Sequence, residues 1–243
     1  MLPQAVEVET VYTERDHALR EYDRYARAKY DLTLRWLRPF LTKDTLLYNV
    51  GAGGGYFNHL AAERSRAVVG CEPDPVAFAR ATGNPMPSNC ELLQLDLQTF
   101  SQNRAPADAV VMHDVLEHIA DDKAAAEDLR SLVREGGRVV VSVPALGMLF
   151  GQHDIDLGHY RRYSMRSLRQ VLEPHFKIKR LRYFGMASIP IVLCYSVLRK
   201  AAYPKVAASE NLISRIYGAV CSLEARIPEP LGTSLIAELE PRS

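Results

Sequence analysis

A group of glycines between an apolar run and a helical pattern is the part of this sequence best suited to hold a ligand. Leu46–Val50 form the apolar run, residues 51–55 contain four glycines, and a helical pattern resumes over Tyr56–Ala62. Glycine has no Cβ and tolerates positive φ, so a ligand can lie directly against backbone N–H groups. The pattern therefore predicts a strand, a ligand-binding loop and a helix in succession.

A carboxylate follows the next apolar run. Glu72 ends the run over residues 66–71, about 20 residues after the first glycine of the loop, which is the usual spacing to a ribose-binding acid. Neighbouring parallel strands end at the same edge of a sheet, where a carboxylate can accept both hydroxyl hydrogens of a ribose. The loop and the carboxylate together predict a cofactor that contains a nucleoside.

The spacing of the glycines separates two classes of cofactor. The dinucleotide fingerprint G-x-G-x-x-G requires a glycine at position 56, where this chain has Tyr56. The glycines at 51, 53 and 55 instead form G-x-G-x-G. This loop resembles the S-adenosylmethionine (SAM) loop of class I methyltransferases. The family commonly has an acidic residue near the donor's ammonium group where this chain has Asn49, which offers an amide oxygen without the charge.

Three further segments resemble the same family, in the same order. Asp96 and Leu97 follow the run 91–95, where the family carries an acidic residue for the adenine amino group and an apolar neighbour for the ring. Residues 109–119 are similar to the segment after the fourth strand in the small-molecule branch, of methyltransferase type 11 or 12. Residues 136–144 are similar to the family's Gly-Gly turn and fifth strand. The resemblance thus covers about residues 46–144.

The resemblance implies an α/β fold of three layers: a Rossmann-like, mostly parallel seven-stranded sheet with an antiparallel last strand. An N-terminal helix and a helical insertion between strands six and seven complete it. We expect one domain over residues 1–243, made of a helical cap (1–44), a core sheet (45–184), the insertion (185–230) and a closing strand (231–243).

SAM is the implied cofactor, with S-adenosylhomocysteine as its product. The residues expected to bind it are Asn49, Gly51, Ala52, Gly53, Gly55, Tyr56, Glu72, Pro73, Asp96, Leu97 and His113.

Histidines are the candidate general bases. A base is needed only when the acceptor is protonated at working pH, as a phenol or an alcohol is. His113 is the first candidate because it ends the fourth strand, in line with the donor's methyl group, and histidine titrates near neutrality. Its alternative role is to line the pocket. His153 and His159 are further candidates, or form hydrogen bonds within their loop.

Asp114, Glu117 and His118 have the i, i+3, i+4 spacing that brings three side chains to one side of a helical turn. Some quinone-type and RNA-terminus methyltransferases, which this segment resembles, hold a divalent cation with acid-x-x-Glu-His. Most small-molecule relatives have no metal there and use the Glu and His for hydrogen bonds. We expect no metal, with these three residues as the alternative site.

Two regions are expected to contact the substrate. Residues 14–41 predict a helix, which the family places over the cofactor mouth, so Tyr22 and Tyr30 are candidate substrate contacts. The alternative is a packed aromatic stripe.

The second region is the loop after the fifth strand, over residues 145–163, which contains Tyr160 and Arg161. The tandem arginines Arg161 and Arg162 can bind an anionic acceptor in bidentate fashion. Alternatively, they pair with aspartates 154 and 156 and fasten the loop.

Charge and cysteine content restrict the partners. Thirty Lys and Arg residues against 29 Asp and Glu residues give a net charge of +1, so no electrostatic bias toward nucleic acid is expected. The four cysteines show no C-x-x-C pairing, and the N-terminal residues have no apolar segment of the signal-peptide kind. The sequence therefore predicts a cytoplasmic protein that acts on a small molecule.

Residues 185–202 predict an apolar helix. Its apolar part is shorter than the ~18 residues that span a bilayer, so no transmembrane segment is expected. Core packing is the default, with a homodimer face, a hydrophobic substrate lid or a peripheral membrane contact as alternatives.

Together, these observations predict a SAM-dependent methyltransferase that methylates an oxygen of a small molecule, which is a hydroxyl, a phenol or a carboxylate. N-methylation of a small amine is the alternative in the same class. A non-catalytic SAM-binding protein and an NAD(P) oxidoreductase are the alternatives from other classes.

Overall fold

A computed structural model describes residues 23–200 and 212–242 of the chain. The sheet has seven strands in the order β3-β2-β1-β4-β5-β7-β6, of which β7 is antiparallel to both its neighbours. The other pairings, from β3 through to β5, are parallel. The strands are β1 (Leu46–Val50), β2 (Ala67–Cys71), β3 (Cys90–Leu93), β4 (Ala107–His113), β5 (Val133–Pro144), β6 (Phe176–Phe184) and β7 (Ser234–Pro241). The expected sheet with an antiparallel last strand is confirmed.

Helices cover both faces of the sheet. They are α1 (Arg24–Leu37), α2 (Tyr56–Ala62), α3 (Pro75–Gly83), α4 (Leu97–Gln102), α5 (Asp122–Ser131), α6 (Gln152–Asp156), α7 (Met165–Leu172), α8 (Ile189–Val192) and α9 (Leu212–Glu224). Short 3₁₀ turns cover Arg38–Phe40, Leu116–His118, Gly147–Leu149 and Met186–Ser188, and a π-helix covers Leu193–Leu198.

Two hydrophobic cores lie on opposite sides of the sheet. In β4, Val110 and Met112 belong to the core under α4, α5 and α7, whereas Ala109 and Val111 belong to the core under α1, α2 and α9. This alternation follows from the two-residue period of side chains along a strand. Because both faces of β4 are covered, its side chains are buried almost throughout.

The N-terminal helix is confirmed, with shorter described bounds than the sequence predicts. Asp23 caps α1, its carboxylate accepting from the Tyr25 backbone N–H at 2.8 Å. The helix passes into a 3₁₀ turn that contains Pro39. Residues 14–22, including the candidate substrate contact Tyr22, lie outside the described residues.

The helix predicted over residues 185–202 is confirmed over residues 186–198, but it is not a regular α-helix. Residues 186–198 form a 3₁₀ turn, α8 and a π-helix in succession, and positions 201 and 202 lie outside the described residues. Pro190 lies in the first turn of α8, where proline is tolerated because the N–H that it lacks would have no partner within the helix. Core packing is also only partial, since Val192 is buried while Leu198 is 71% exposed.

The loop after β5 is more ordered than predicted, since it contains a 3₁₀ turn and α6. Within the described ranges, no helix is both long and apolar enough to cross a membrane.

Candidate active site

The glycine loop after β1 adopts a backbone that side chains disfavour. Gly51, Gly53 and Gly55 have φ of +68°, +54° and +80°, a region that residues with a Cβ avoid. A Cβ on Gly51 would also lie 2.2 Å from Cγ2 of Val115, which follows β4. The glycine therefore lets the ends of β1 and β4 approach each other, a contact that the sequence did not reveal.

Glu72 fixes this loop from the end of β2. One carboxylate oxygen accepts the Gly53 backbone N–H at 2.7 Å, and the other accepts the Asp74 N–H at 3.0 Å. The residue is buried, and the adjacent Pro73 is exposed. The sequence located this carboxylate but missed its role in holding the loop.

Asp96 lies just beyond β3 and caps α4. Its Oδ1 accepts the Thr99 N–H at 2.7 Å, and the residue is exposed, whereas Leu97 beside it is buried. Because β1, β2 and β3 are neighbours in the sheet, residues 51–55, 72–73 and 96–97 follow one another along one edge. We call these residues the β1–β3 edge.

Three other predicted cofactor residues have local partners. Asn49 is buried, and its Nδ2 donates to Oδ1 of Asn58 in α2 at 2.7 Å. The Ala52 N–H donates to the Cys71 carbonyl at 2.9 Å, which ties the loop to β2. The Tyr56 hydroxyl is hydrogen-bonded to the Arg27 guanidinium. Their predicted contacts with a cofactor stay predictions.

His113, at the end of β4, is buried under α1. Its Nε2 lies 2.9 Å from the Thr33 hydroxyl, and the Tyr30 and Phe57 rings lie 5.0 and 4.9 Å from its own. Burial, assisted by the charge of Lys29, lowers its pKa to about 3. The ring is therefore neutral near neutral pH and a weak proton acceptor, which favours the pocket-lining role over the role of general base.

A second contact fastens α1 to the end of β4. Asp114 has φ of +54°, and its carboxylate pairs with the ammonium of Lys29, which is buried in α1. The Ser142 hydroxyl donates to the same carboxylate at 3.1 Å. Sequence reasoning missed Lys29, because a lysine in an amphipathic helix is usually solvated.

The loop after β5 is built around buried Asp154. Arg162 Nε donates to both its oxygens at 2.8 and 2.9 Å, and Nδ1 of His159 lies 2.8 Å from Oδ1. Burial alone would raise the pKa of Asp154, but the hydrogen bonds from His159 and Arg162 outweigh it and hold the pKa below its usual range. The His153 backbone N–H donates to Ser196 at 3.1 Å, which fastens α6 to the π-helix.

The two predicted substrate contacts of this loop, Arg161 and Tyr160, have different surroundings. Arg161 pairs with Asp122 at 2.7 Å and donates to the Ala120 carbonyl at 2.6 Å. The alternative prediction is that both arginines pair with aspartates of their own loop. Arg162 does so with Asp154, whereas Arg161 pairs with an aspartate in α5. Tyr160 is 60% exposed.

The structure groups Glu117 and His118 with His159. The His118 and His159 rings lie 4.6 Å apart, and Nε2 of His159 is 4.0 Å from Oε1 of Glu117. Asp114, the third member of the alternative metal site, instead bonds to Lys29. We call residues 113–118 and 153–163, together with α1, the β4–β5 edge.

Comparisons with known proteins bear on the family of the chain and on its fold. A family described as a methyltransferase domain matches residues 20–175. An uncharacterized methyltransferase of Mycolicibacterium gilvum is 27% identical over 133 residues, which are 49% of this chain and 47% of that protein. A tRNA U34 carboxymethyltransferase of Campylobacter fetus is 27% identical over 109 residues, 43% of this chain and 39% of that protein. The matched part of the chain thus covers about half the length of the first relative and less than half of the second.

Solved structures share the fold at low identity. A Haloferax volcanii complex that contains the Trm112 methyltransferase activator has a chain similar to this one with a TM-score of 0.67, at 13% identity, over 98% of this chain and 100% of that one. The N-methyltransferase NodS of Bradyrhizobium japonicum, solved with S-adenosylhomocysteine, has a TM-score of 0.61 at 12% identity, over 96% and 95%. These likenesses show the fold alone.

Proposed function

The chain belongs to the methyltransferase domain family, and we propose that it transfers a methyl group from SAM to an oxygen of a small molecule. One observation carries the proposal: a loop of three positive-φ glycines is held by Glu72, at the point where the next strand ends. A loop of that shape leaves backbone accessible to a ligand, and the carboxylate beside it is suited to a sugar.

The residues of the β1–β3 edge fit the parts of SAM in order. The glycine loop would hold the methionine portion, Glu72 would accept from the ribose hydroxyls, and Asp96 would accept from the adenine amino group. Leu97 would cover the adenine ring. The chemistry of these groups supports the assignment, because a sugar and an amino-substituted base offer hydrogens that carboxylates accept.

SAM, when bound, supplies a methyl group on a positively charged sulfur, which departs with the C–S electron pair as the neutral thioether of S-adenosylhomocysteine. The protein's part is to align the acceptor oxygen with the methyl carbon and to exclude water. We assign the exclusion of water at the end of β4 to helix α1, in which Lys29 bonds to Asp114 and Thr33 bonds to His113. Tyr30 of α1 packs on His113 and is the candidate substrate contact in this helix.

The state of His113 bears on the acceptor. Its lowered pKa makes it a poor base, so we assign it to the pocket wall rather than to proton removal. A carboxylate or phenolate acceptor already carries its lone pair and needs no base. N-methylation of a small amine is the second candidate for the same reason, because a neutral amine also attacks without a strong base.

Nucleic acid is not proposed as the acceptor, although one relative is a tRNA enzyme by name. The net charge of +1 gives no general attraction to a polyanion.

Turnover with isotopically labelled SAM tests the proposal. The purified chain is incubated with separate panels of carboxylic acids, phenols, alcohols and amines, and labelled products are identified by mass spectrometry. We expect methyl esters or methyl ethers, and a slower rate of product formation with the Glu72→Ala variant when SAM is limiting. Labelled amines alone would overturn the assignment to oxygen and leave the N-methyltransferase candidate.

A further inference from the structure

Three side chains that commonly ligate metals meet at the β4–β5 edge. Glu117 and His118 lie in the 3₁₀ turn just after β4, and His159 lies in the loop that follows α6. One ligand atom from each falls within 4.8 Å of the other two. Across residues 23–200 and 212–242, no other group of three or more His, Cys, Asp or Glu side chains meets this condition.

His159 is oriented by a buried carboxylate. Its Nδ1 lies 2.8 Å from Asp154, which Arg162 and the Gly151 N–H hold in place. A carboxylate at Nδ1 fixes the proton on that nitrogen and leaves the Nε2 lone pair for a cation. That Nε2 is the atom 4.0 Å from Glu117. Metal-binding histidines in proteins usually have such a partner on their second nitrogen.

The ligand types select the class of metal. Two imidazoles and one carboxylate suit zinc and neighbouring divalent transition metals, whereas magnesium and calcium prefer oxygen ligands. The set of Asp114, Glu117 and His118 contains only one nitrogen ligand and favours a harder ion. The structure thus has His159 in the place that the sequence predicted for Asp114, and this second nitrogen ligand changes the expected metal.

We propose that Glu117, His118 and His159 bind one divalent transition metal ion, for which zinc is the probe, and that Asp154 is the positioning residue of His159. Three protein ligands leave a coordination position open. The consequence for the acceptor rests on the proposed function: a cation at the ends of β4 and β5 would favour an acceptor that carries an oxygen able to coordinate it.

The competing interpretation is an ion network without metal. In that network, the His159 ring lies between the carboxylates of Glu117 and Asp154, and Arg162 pairs with Asp154. Zinc would then bind no better to the wild-type protein than to a variant that lacks His159. The two interpretations therefore differ in a measurable affinity.

The test uses the full chain after treatment with a chelator. Zinc binding is measured by calorimetry, and cobalt binding is measured by visible absorption, which reports the coordination geometry. We expect one equivalent of zinc, a loss of about 10²-fold or more in affinity for His118→Gln and for His159→Gln, and about 10- to 100-fold for Asp154→Asn. His175→Gln, which removes a histidine outside this group, is the matched control and should bind zinc as the wild-type protein does.

NMR spectra of the wild-type protein test the metal site without any variant, so they remain informative if a variant fails to fold. Long-range ¹H–¹⁵N spectra should show the ring nitrogens of His118 and His159 shifting together at one equivalent of zinc. Unshifted resonances, or equal zinc affinity in the wild-type protein and His159→Gln, would overturn the metal site.

Zinc binding and cofactor binding can be tested separately. Binding of S-adenosylhomocysteine is measured in the same samples, and folded His159→Gln should retain it. If zinc binds but S-adenosylhomocysteine does not, the proposed function fails and the metal site stands. If S-adenosylhomocysteine binds and zinc does not, the reverse holds.

Discussion

The β1–β3 edge and the β4–β5 edge lie side by side on one sheet, but different kinds of contact hold them. At the β1–β3 edge, the contacts are to backbone and are close in sequence: Glu72 binds the Gly53 N–H 19 residues away, and Asp96 binds the Thr99 N–H three residues away. At the β4–β5 edge, side chains meet over long separations, as Thr33 meets His113 across 80 residues.

This difference matches what we propose that each edge recognises, which is the cofactor at the β1–β3 edge and the acceptor at the β4–β5 edge. A cofactor that a whole family shares can be held by a loop whose shape depends on glycines and a few carboxylates. An acceptor that differs among family members is selected by side chains, which vary more readily than backbone. The β1–β3 edge should therefore be sensitive to changes in backbone shape, and the β4–β5 edge to the loss of individual side-chain pairs.

The largest expected effect is that of a methyl group on the glycine loop. Gly51→Ala combines a positive φ with a Cβ that would meet Val115 at 2.2 Å. The left-handed conformation costs about 1–2 kcal/mol, and overpacking costs about 1–3 kcal/mol more. We expect the free energy of unfolding, measured in urea, to fall by about 2–5 kcal/mol.

Gly83→Ala is the matched control for this change. No atom lies within 4 Å of a Cβ built at Gly83, so the same substitution should be nearly neutral. If Gly51→Ala and Gly83→Ala unfold at the same urea concentration, the close approach of the β1 and β4 ends is wrong.

The next effect concerns cofactor affinity. Glu72→Ala removes the proposed ribose acceptor and the anchor of the Gly53 N–H. Hydrogen bonds to a charged group contribute about 1.5–3 kcal/mol, so affinity for S-adenosylhomocysteine should fall by roughly 10- to 150-fold. Glu91→Ala removes an exposed carboxylate on β3 that pairs with Arg104 and serves as the control. Equal affinities of the two variants would contradict the role of Glu72.

A smaller effect is expected from the ion pair between Lys29 and Asp114. Lys29 is buried, whereas the Asp114 side chain is 30% exposed, so screening by solvent reduces the coupling energy. A double-mutant cycle with Lys29→Met and Asp114→Asn should give about 1–2 kcal/mol of unfolding free energy. The exposed pair of Arg27 and Asp31 provides the comparison, at about 0.3–0.5 kcal/mol. Equal couplings would mean that α1 is not fastened at this point.

The smallest effect is a dependence of stability on pH. The pKa of His113 is about 3 in the folded chain and about 6.5 when unfolded, so the unfolded state binds more protons between these values. Stability therefore falls as pH drops through this window, by about 1 kcal/mol between pH 6.5 and 5.5. His113→Gln should lose this part of the dependence in urea unfolding at both pH values. An unchanged slope would place His113 in contact with solvent.

The sequence predicted the strands and the glycine loop of the β1–β3 edge well because their determinants are local. Residues 46–55 specify a strand and a loop without reference to the rest of the chain, and Glu72 and Asp96 end apolar runs that read as strands. What could not be predicted is that Glu72 holds the loop itself, since that bond depends on how β2 lies beside β1.

The β4–β5 edge was predicted less well because its contacts join distant segments. Lys29 and Asp114 are far apart in the sequence, as are Glu117 and His159, so no local sequence pattern predicts that they meet. The i, i+3, i+4 spacing correctly grouped Glu117 with His118 but included Asp114, whose positive φ takes it out of the helical turn that the spacing assumes. In residues 185–202 the sequence predicted a helix but not its change from 3₁₀ to α to π geometry, which hydrophobicity does not indicate.

Calorimetry with S-adenosylhomocysteine and NAD⁺ tests the central claim most directly, namely that the loop at Gly51 and the carboxylates of the β1–β3 edge bind SAM. We expect S-adenosylhomocysteine to bind with a roughly micromolar Kd and NAD⁺ to give no heat of binding. Binding of NAD⁺ without binding of S-adenosylhomocysteine would contradict this account.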